Sequence, residues 1–185
     1  MGARKVSKRV EPAPSAPPIF RTVFEQEFTY VWNVLRRLGV AQRELEDMTQ
    51  QVFLQVHSQL ATFDASRPLR PWLFAFAFHV ASNHRSLARH RVELCVVAPD
   101  MADSVPAADE QLITRQELEL AELALTRVSF ERRAVLLLHE IEGRTIPEIA
   151  LALEIPLNTA YSRLRLARQE YELAVRRLRA QRGES

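Results

Sequence analysis

The side chains with the clearest chemistry lie between Thr145 and Gln169, where two short helical patterns flank a tight turn. Along the second pattern Asn158, Ser162, Arg165 and Gln169 recur on one face. Side chains of these types donate hydrogen bonds to base edges and phosphate oxygens in the major groove of DNA. The pattern therefore predicts a face that binds duplex DNA. Its flanking members are Thr159, Tyr161, Arg163 and Arg168.

The two helical patterns that position this face have their own boundary signals. Thr145 and Glu148 have the spacing of a capping box, and Pro147 lies in the first turn, where its missing N–H costs nothing. Residues 154–156 break the first helix, and Asn158 is predicted to cap the second. This order predicts a helix-turn-helix, with a helical hairpin carrying a solvated arginine face as the alternative. The inward side of the second helix would carry Ala160, Leu164 and Ala167.

Residues 67–91 form a second unusual stretch, with five arginines and no carboxylate. The aromatic residues in it alternate, as they would on a strand. We nevertheless predict a helix, because alanines fill the gaps and the pattern continues to Ala88 without turn residues. A single core-facing stripe does not need this many aromatic side chains. They are Trp72, Phe74, Phe76 and Phe78.

The other elements follow from apolar periodicity. One stripe covers residues 20–38 and stops at Gly39, and a second covers residues 45–60 with acidic residues in its first turn. Residues 62–71 contain two prolines and are predicted to be a loop. Helical pattern resumes at Leu112, is predicted to continue past Ser129, and runs to residue 141.

These elements predict an all-α chain of two small helical domains joined by an acidic flexible linker. Residues 1–18 are a basic, proline-rich tail, for which we predict disorder. The first domain then covers residues 19–92, the linker residues 93–112, and the helix-turn-helix domain residues 113–182. The segment "VELCVVA" within 92–98 could also form a short strand, although it has no obvious partner.

Charge is strongly segregated along the 185 residues, although the formal net charge is only +2. Residues 100–122 hold seven acids and one arginine, whereas residues 157–182 hold seven arginines and two acids. Two basic segments therefore flank an acidic one. This layout suits a partner that is a polyanion bound at two places.

Several functions are not supported by the sequence. With Cys95 alone, four scattered glycines and five histidines without a metal-ligand spacing, the chain offers no metal site and no phosphate-binding loop. No nucleophile has a plausible base nearby, so we predict that it is not an enzyme and needs no cofactor. No apolar stretch is long enough to cross a bilayer and no secretory signal is present, which predicts a cytoplasmic protein.

Together, three stretches resemble the extracytoplasmic-function (ECF) group of the sigma-70 family, the dissociable promoter-specificity subunits of bacterial RNA polymerase. "LEDMTQQVFLQV" is similar to the family's core-polymerase-binding helix, and "RPWLFAFAFHVASNHR" to its −10 recognition and melting helix. "EGRTIPEIALALEIPLNTAYSRLRLAR" is similar to its −35-recognising helix-turn-helix. The three occur in the family's order and span roughly residues 20–180.

The resemblance implies partners and roles. The partners are core polymerase, promoter DNA and, in some members, an anti-sigma factor. Aromatic rings stack on unpaired bases and arginines bind phosphates. The resemblance therefore also explains why residues 67–91 combine aromatic residues with arginines. Core binding would fall to Glu44, Glu46, Asp47, Gln50 and Gln51. The −10 region would be bound by Phe63, Arg67, Arg70, Trp72, His79, Asn83 and Arg85, with the aromatics of the helix mostly packing.

The chain departs from the family pattern at several positions. His79 stands where Asn is usual, Ala75 where a basic residue is usual, and Tyr161 where Lys is common. Glu154 replaces the glycine that commonly ends the first helix of the helix-turn-helix. Two alternatives remain open: a stand-alone helix-turn-helix repressor, which needs no aromatic melting helix, and an all-helical adaptor, which needs no capped turn.

Overall fold

The computed structural model describes residues 19–92 and 109–183, and all regular structure in these two ranges is helical. We call residues 19–92 the N-terminal unit and residues 109–183 the C-terminal unit. The all-α prediction is confirmed. The proposed tail and the segment that could form a strand fall outside the described residues, apart from Val92. In the described ranges, no helix is long and apolar enough to cross a membrane.

Three helices build the N-terminal unit: α1 (Phe20–Leu38), α2 (Leu45–Gln59) and α3 (Leu69–Val92). As predicted, α1 ends at Gly39, whose φ of 93° is a left-handed conformation that a residue with a Cβ adopts only at a cost. The loop predicted for residues 62–71 ends earlier than expected, because α3 begins at Leu69. Pro71 lies in its first turn, where a missing N–H breaks no helical hydrogen bond.

The C-terminal unit contains α4 (Asp109–Arg127), α5 (Phe130–Leu136), a π-helical turn (Leu137–Ile141), α6 (Ile146–Ala152) and α7 (Leu157–Arg182). Helix α4 begins inside the segment predicted as linker. The prediction that helix continues past Ser129 is wrong: Ser129 has extended backbone and separates α4 from α5. Its N–H donates to the Glu170 carboxylate on α7, so a tertiary contact stabilises the break.

The helix-turn-helix has the predicted boundary at its start. The Thr145 N–H and hydroxyl both donate to Glu148 Oε2, at 2.8 and 2.7 Å. Its second boundary differs from the prediction, since α7 is preceded by Pro156 as N-cap, and Asn158 lies inside the first turn. Pro156 fixes an extended backbone there and ends the turn without a side-chain cap. Ala160, Leu164 and Ala167 are buried, as predicted.

The turn between α6 and α7 explains one departure from the family pattern. Glu154 has a φ of 53°, and it is the one residue other than glycine with a positive φ in the described ranges. A side chain with a Cβ is strained there, by about 1–2 kcal/mol. The usual glycine at this position would be free of that strain.

We therefore expect Glu154→Gly to raise the free energy of unfolding by about 1 kcal/mol, measured by urea denaturation. Glu154→Ala is the matched control, because it removes the carboxylate but keeps the Cβ. If alanine stabilises as much as glycine, the gain comes from removing a negative charge near the C-terminal end of α6, and the strain argument is wrong.

Candidate nucleic-acid and polymerase interface

The start of α3 is fixed against α1 by one tyrosine and one arginine. The hydroxyl of the half-buried Tyr30 donates to the Arg70 carbonyl at 3.2 Å, and burial raises the pKa of Tyr30 well above its ordinary value. The Arg70 guanidinium lies over the Tyr30 ring and pairs with Glu27 at 3.0 Å. Arg70 is therefore oriented along α1, with its side chain still exposed.

The aromatic residues of α3 divide between the core and its edge. Phe74 and Phe76 are buried, which confirms that they mainly pack. Trp72 is half-buried and contacts Phe63 at 4.8 Å and Phe76 at 4.7 Å between ring centroids. Phe63 therefore lies at the end of an aromatic row that starts in the core. This row positions the loop that precedes α3.

The polar residues predicted for the −10 region lie on the surface. His79 and Asn83 are exposed one turn apart on α3, Arg85 is exposed two residues farther along, and Arg67 is exposed in the loop, 3.5 Å from Asp64. Arg85 lies 4.7 Å from the centroid of the Phe130 ring, which belongs to the C-terminal unit. The structure thus places these side chains on one helix and its preceding loop, with Arg85 already in contact with an aromatic ring.

The exposed face of α2 carries four of the five residues predicted to bind polymerase: Glu46, Asp47, Gln50 and Gln51. Glu44 differs, because it precedes the helix and pairs with His84 of α3 at 3.4 Å. Sequence analysis missed Leu54, which is 63% exposed among these polar residues. The sequence signal that could have identified it is that Leu54 lies off the apolar stripe of α2 that is buried.

The predicted −35 face occupies the first four turns of α7. Its exposed members are Asn158, Tyr161, Ser162, Arg165, Arg168 and Gln169, whereas Thr159 and Arg163 are half-buried. Arg168 does not project freely. Its Nε and Nη2 both donate to Glu140 Oε1, at 2.9 and 2.7 Å, and this ion pair lowers the pKa of Glu140. Arg168 therefore joins α7 to the π-helical turn.

A cavity of about 530 Å³ opens beside this ion pair, between α4, the end of α5 and α7. Its apolar side chains include Leu118 and Ile141, which are 60% and 48% exposed. Charged side chains border it, among them Arg37 of α1 and Glu172 of α7. Further lining residues are Ala121, Leu125, Leu136, Leu137 and Tyr171.

A capped helix-turn-helix with a donor-rich second helix, in a chain that also carries an aromatic, arginine-rich helix, defines a helical DNA-binding protein. Comparisons with known proteins make the class more specific. Residues 23–91 match the family model of Sigma-70 region 2, and residues 118–170 match that of Sigma-70, region 4.

Matches to individual proteins agree with these family models. The RNA polymerase sigma factor NccH of Alcaligenes xylosoxydans xylosoxydans is 28% identical over 138 residues, covering 72% of this chain and 74% of the relative. The ECF RNA polymerase sigma factor SigL of Mycobacterium tuberculosis is 28% identical over 162 residues, covering 86% and 90%. The sigma factor RpoE of Bartonella quintana, solved in complex with the anti-sigma factor NepR, has a similar fold, with a TM-score of 0.67. The two chains are 18% identical, and the match covers 85% of this chain and 96% of RpoE.

The chain belongs to the ECF group of the sigma-70 family. It binds core RNA polymerase, directs it to promoters through −35 and −10 recognition, and promotes DNA melting. Sigma factors in general are not enzymes. The resemblance to the ECF group that the three motifs indicated is confirmed. The two alternatives, a stand-alone repressor and an all-helical adaptor, are not confirmed.

Proposed function

We propose that promoter recognition and polymerase binding divide among three surfaces of this chain. The exposed face of α2 binds core polymerase. The loop before α3, with His79 and Asn83, faces the non-template strand at the −10 element. The first turns of α7 enter the major groove at the −35 element. Residues 19–92 act as the polymerase and −10 domain, residues 113–182 as the −35 domain, and residues 93–112 as the linker.

One observation carries this assignment: the exposed polar residues of α7 lie directly after the turn that joins α6 to α7. Asn158, Tyr161, Ser162 and Arg165 all lie in its first three turns and are exposed. In helix-turn-helix proteins, N-terminal residues of the second helix contact base edges. We infer that Arg163 and Arg168 contribute less direct contacts, since one is half-buried and the other is paired with Glu140.

The test is transcription by bacterial core polymerase with the purified chain on a library of randomised promoters. We expect selected promoters with two conserved elements, near −35 and −10. Asn158→Ala should relax base preference at −35 alone, whereas Leu173→Ala, a change farther along α7, should leave both elements unchanged. If the Asn158→Ala variant selects the same −35 element as the native chain, the assignment of α7 is contradicted.

His79 gives a separate prediction within the −10 element. A neutral imidazole offers one donor and one acceptor on different ring atoms, while an Asn amide offers two donors and an acceptor in another geometry. We therefore expect His79→Asn to change the selected −10 bases and leave the −35 element as it was. His84→Asn, on the same helix but paired with Glu44, is the control. The same −10 preference for the native chain and His79→Asn would show that His79 does not contact a base.

An anti-sigma factor is a further partner that we propose for this chain. Two solved proteins with a similar fold were determined with partners: RpoE of Bartonella quintana with the anti-sigma factor NepR, and CnrH with the cytosolic domain of CnrY. The cavity between α4, α5 and α7 offers exposed apolar side chains that such a partner would cover. We also propose that the chain acts in the cytoplasm, where polymerase and promoters are, and that it has no catalytic site of its own.

A further inference from the structure

Asp64 is an acid within a stretch of sequence that is otherwise free of acids. From Met48 to Val92 it is the single acidic residue, and it lies in the loop before α3 that we propose to face the non-template strand. Its side chain is 57% exposed. Because a carboxylate beside DNA phosphates repels them, an acid at this position needs a compensating role.

The carboxylate of Asp64 is occupied by its own loop. Its Oδ1 accepts hydrogen bonds from the Ser66 hydroxyl at 2.7 Å and from the Ser66 N–H at 3.0 Å. Its Oδ2 lies 3.5 Å from Arg67 Nε. These interactions, the Ser66 hydroxyl first among them, hold the pKa of Asp64 below its ordinary value. The group is therefore an ionised acceptor at neutral pH, with both oxygens directed to neighbouring residues.

The two ends of the loop are fixed by other elements. Phe63 contacts Trp72 at the first end, and the Arg70 carbonyl accepts the hydrogen bond from Tyr30 at the second. Between these anchors, the turn at residues 64–67 is held through Asp64. Besides its side-chain bonds, the carbonyl of Asp64 accepts from the N–H of residue 67 at 2.9 Å. One residue thus joins both halves of the turn.

A loop that binds a separated strand gains from being ordered beforehand. Fixing the backbone of a free loop costs conformational entropy, and that cost weakens binding unless the loop already has its bound shape. The bonds to Asp64 order the turn before DNA arrives. They also leave the Nη groups of Arg67 available for a phosphate, since Nε is the atom near the carboxylate and the side chain is 63% exposed.

We propose that Asp64 is a positioning residue for promoter opening: it contacts no base or phosphate, and it holds the turn at residues 64–67 in the shape that receives the non-template strand. The inference rests on the proposed role of this loop at the −10 element. Its acceptor oxygens matter more than its charge, because an exposed ion pair such as that with Arg67 contributes little. Asparagine keeps an acceptor oxygen on this side chain, whereas alanine keeps none.

Strand opening by polymerase holoenzyme containing the full chain tests the proposal. A 2-aminopurine in the non-template strand of the −10 element reports opening by its fluorescence, and binding to duplex promoter is measured separately. We expect Asp64→Ala to slow opening about tenfold, as expected for the loss of hydrogen bonds to a charged acceptor, without weakening duplex binding. Asp64→Asn should stay within about threefold of the native rate, because its bonds from Ser66 remain as neutral ones.

Two further variants control the measurement. Glu25→Ala removes another exposed acid that pairs with an arginine, Arg21 of α1, and should open promoters at the native rate. Ser66→Ala removes the hydroxyl bond and keeps the backbone one, so it should slow opening about threefold. Because Ser66→Ala leaves Asp64 in place, native opening by this variant contradicts the proposal even if Asp64→Ala is poorly folded in urea denaturation.

The bases selected at the −10 element supply a second readout. A carboxylate can accept a hydrogen bond from cytosine N4, so direct contact with a base is the competing explanation. If Asp64 positions the loop, Asp64→Asn selects the same −10 bases from a randomised library as the native chain does. Selection of different bases would show that Asp64 contacts DNA, and the proposal would be overturned.

The remaining outcomes are also decisive. If Asp64→Asn opens promoters as slowly as Asp64→Ala, the charge is required rather than the acceptor, and the proposal is overturned. Opening by Asp64→Ala at the native rate or faster overturns it as well. Phe63→Ala distinguishes that result from a failure of the proposed function. If Phe63→Ala slows opening while Asp64→Ala does not, only the positioning role is lost; if neither slows it, the loop has no role at the −10 element.

Discussion

Leu54→Glu should lower the affinity for core polymerase about tenfold or more. Leu54 is 63% exposed on α2, and Asp47, Gln50 and Gln51 surround it on the same face. An apolar side chain inside a polar rim is the arrangement in which a few residues carry most of the binding energy of an interface. A carboxylate there would be desolvated without a partner when the complex forms.

The neighbouring acid should behave differently. Asp47→Arg changes a rim charge, so we expect it to slow association and to alter the salt dependence, with a smaller effect on dissociation. Binding kinetics with immobilised core polymerase at two salt concentrations distinguish the two variants. Leu173→Glu, at an exposed leucine of α7, is the matched control. If Leu54→Glu binds as the native chain does, the face of α2 is not the docking surface.

Variants of α7 and α3 should fail at different steps of initiation. On the proposed roles, Asn158→Ala with Arg165→Ala would remove one base contact and one phosphate contact from duplex binding. We therefore expect promoter binding to fall about tenfold and the slope of log affinity against log salt to decrease by about one. His79→Ala with Asn83→Ala should leave initial duplex binding intact and slow strand opening instead, because we propose that both side chains face the non-template strand.

A template with a pre-melted bubble separates the two failures. Unpairing costs a few kcal/mol per base taken out of the stack, and the bubble removes that cost. Abortive transcription from duplex and bubble templates should therefore recover far more for the His79/Asn83 variant than for the Asn158/Arg165 variant. We chose Arg165 rather than Arg168, because losing Arg168 would leave Glu140 without its ion-pair partner. Equal recovery of both variants would contradict the division between α3 and α7.

Local signals predicted most of the helical architecture. The apolar stripe stopped by Gly39 predicted α1, the Thr145–Glu148 spacing predicted the start of α6, and alanines among the aromatics correctly favoured helix over strand in α3. All three depend on neighbours within about four residues, where periodicity and capping act. The same signals placed the polar row of α7 on one exposed face.

The failures have tertiary causes. The break at Ser129 depends on Glu170, 41 residues later, and the sequence around Ser129 contains no strong break signal. The position of Glu44, which precedes α2 and lies 3.4 Å from His84 of α3, also depends on a distant segment, whereas its role in polymerase binding stays a prediction. Arg133 is 5% exposed and donates to the Leu38 carbonyl at 3.0 Å. The sequence did not single it out, since an arginine in a helical pattern is ordinarily solvated. Contacts between distant segments decide these positions.

The partners of α7 also have a consequence for the order in which the chain is made. Glu117, Ser129, Arg132 and Glu140 all bond to α7, and all precede it in the chain. At about 5–20 residues per second, the ribosome needs several seconds after residue 92 to reach α7. During that interval the N-terminal unit exists without its neighbour, and Phe78 and Arg85 have no Phe130 to contact. A newborn chain is therefore expected to pass through a state in which this part of α3 is not yet covered by Phe130.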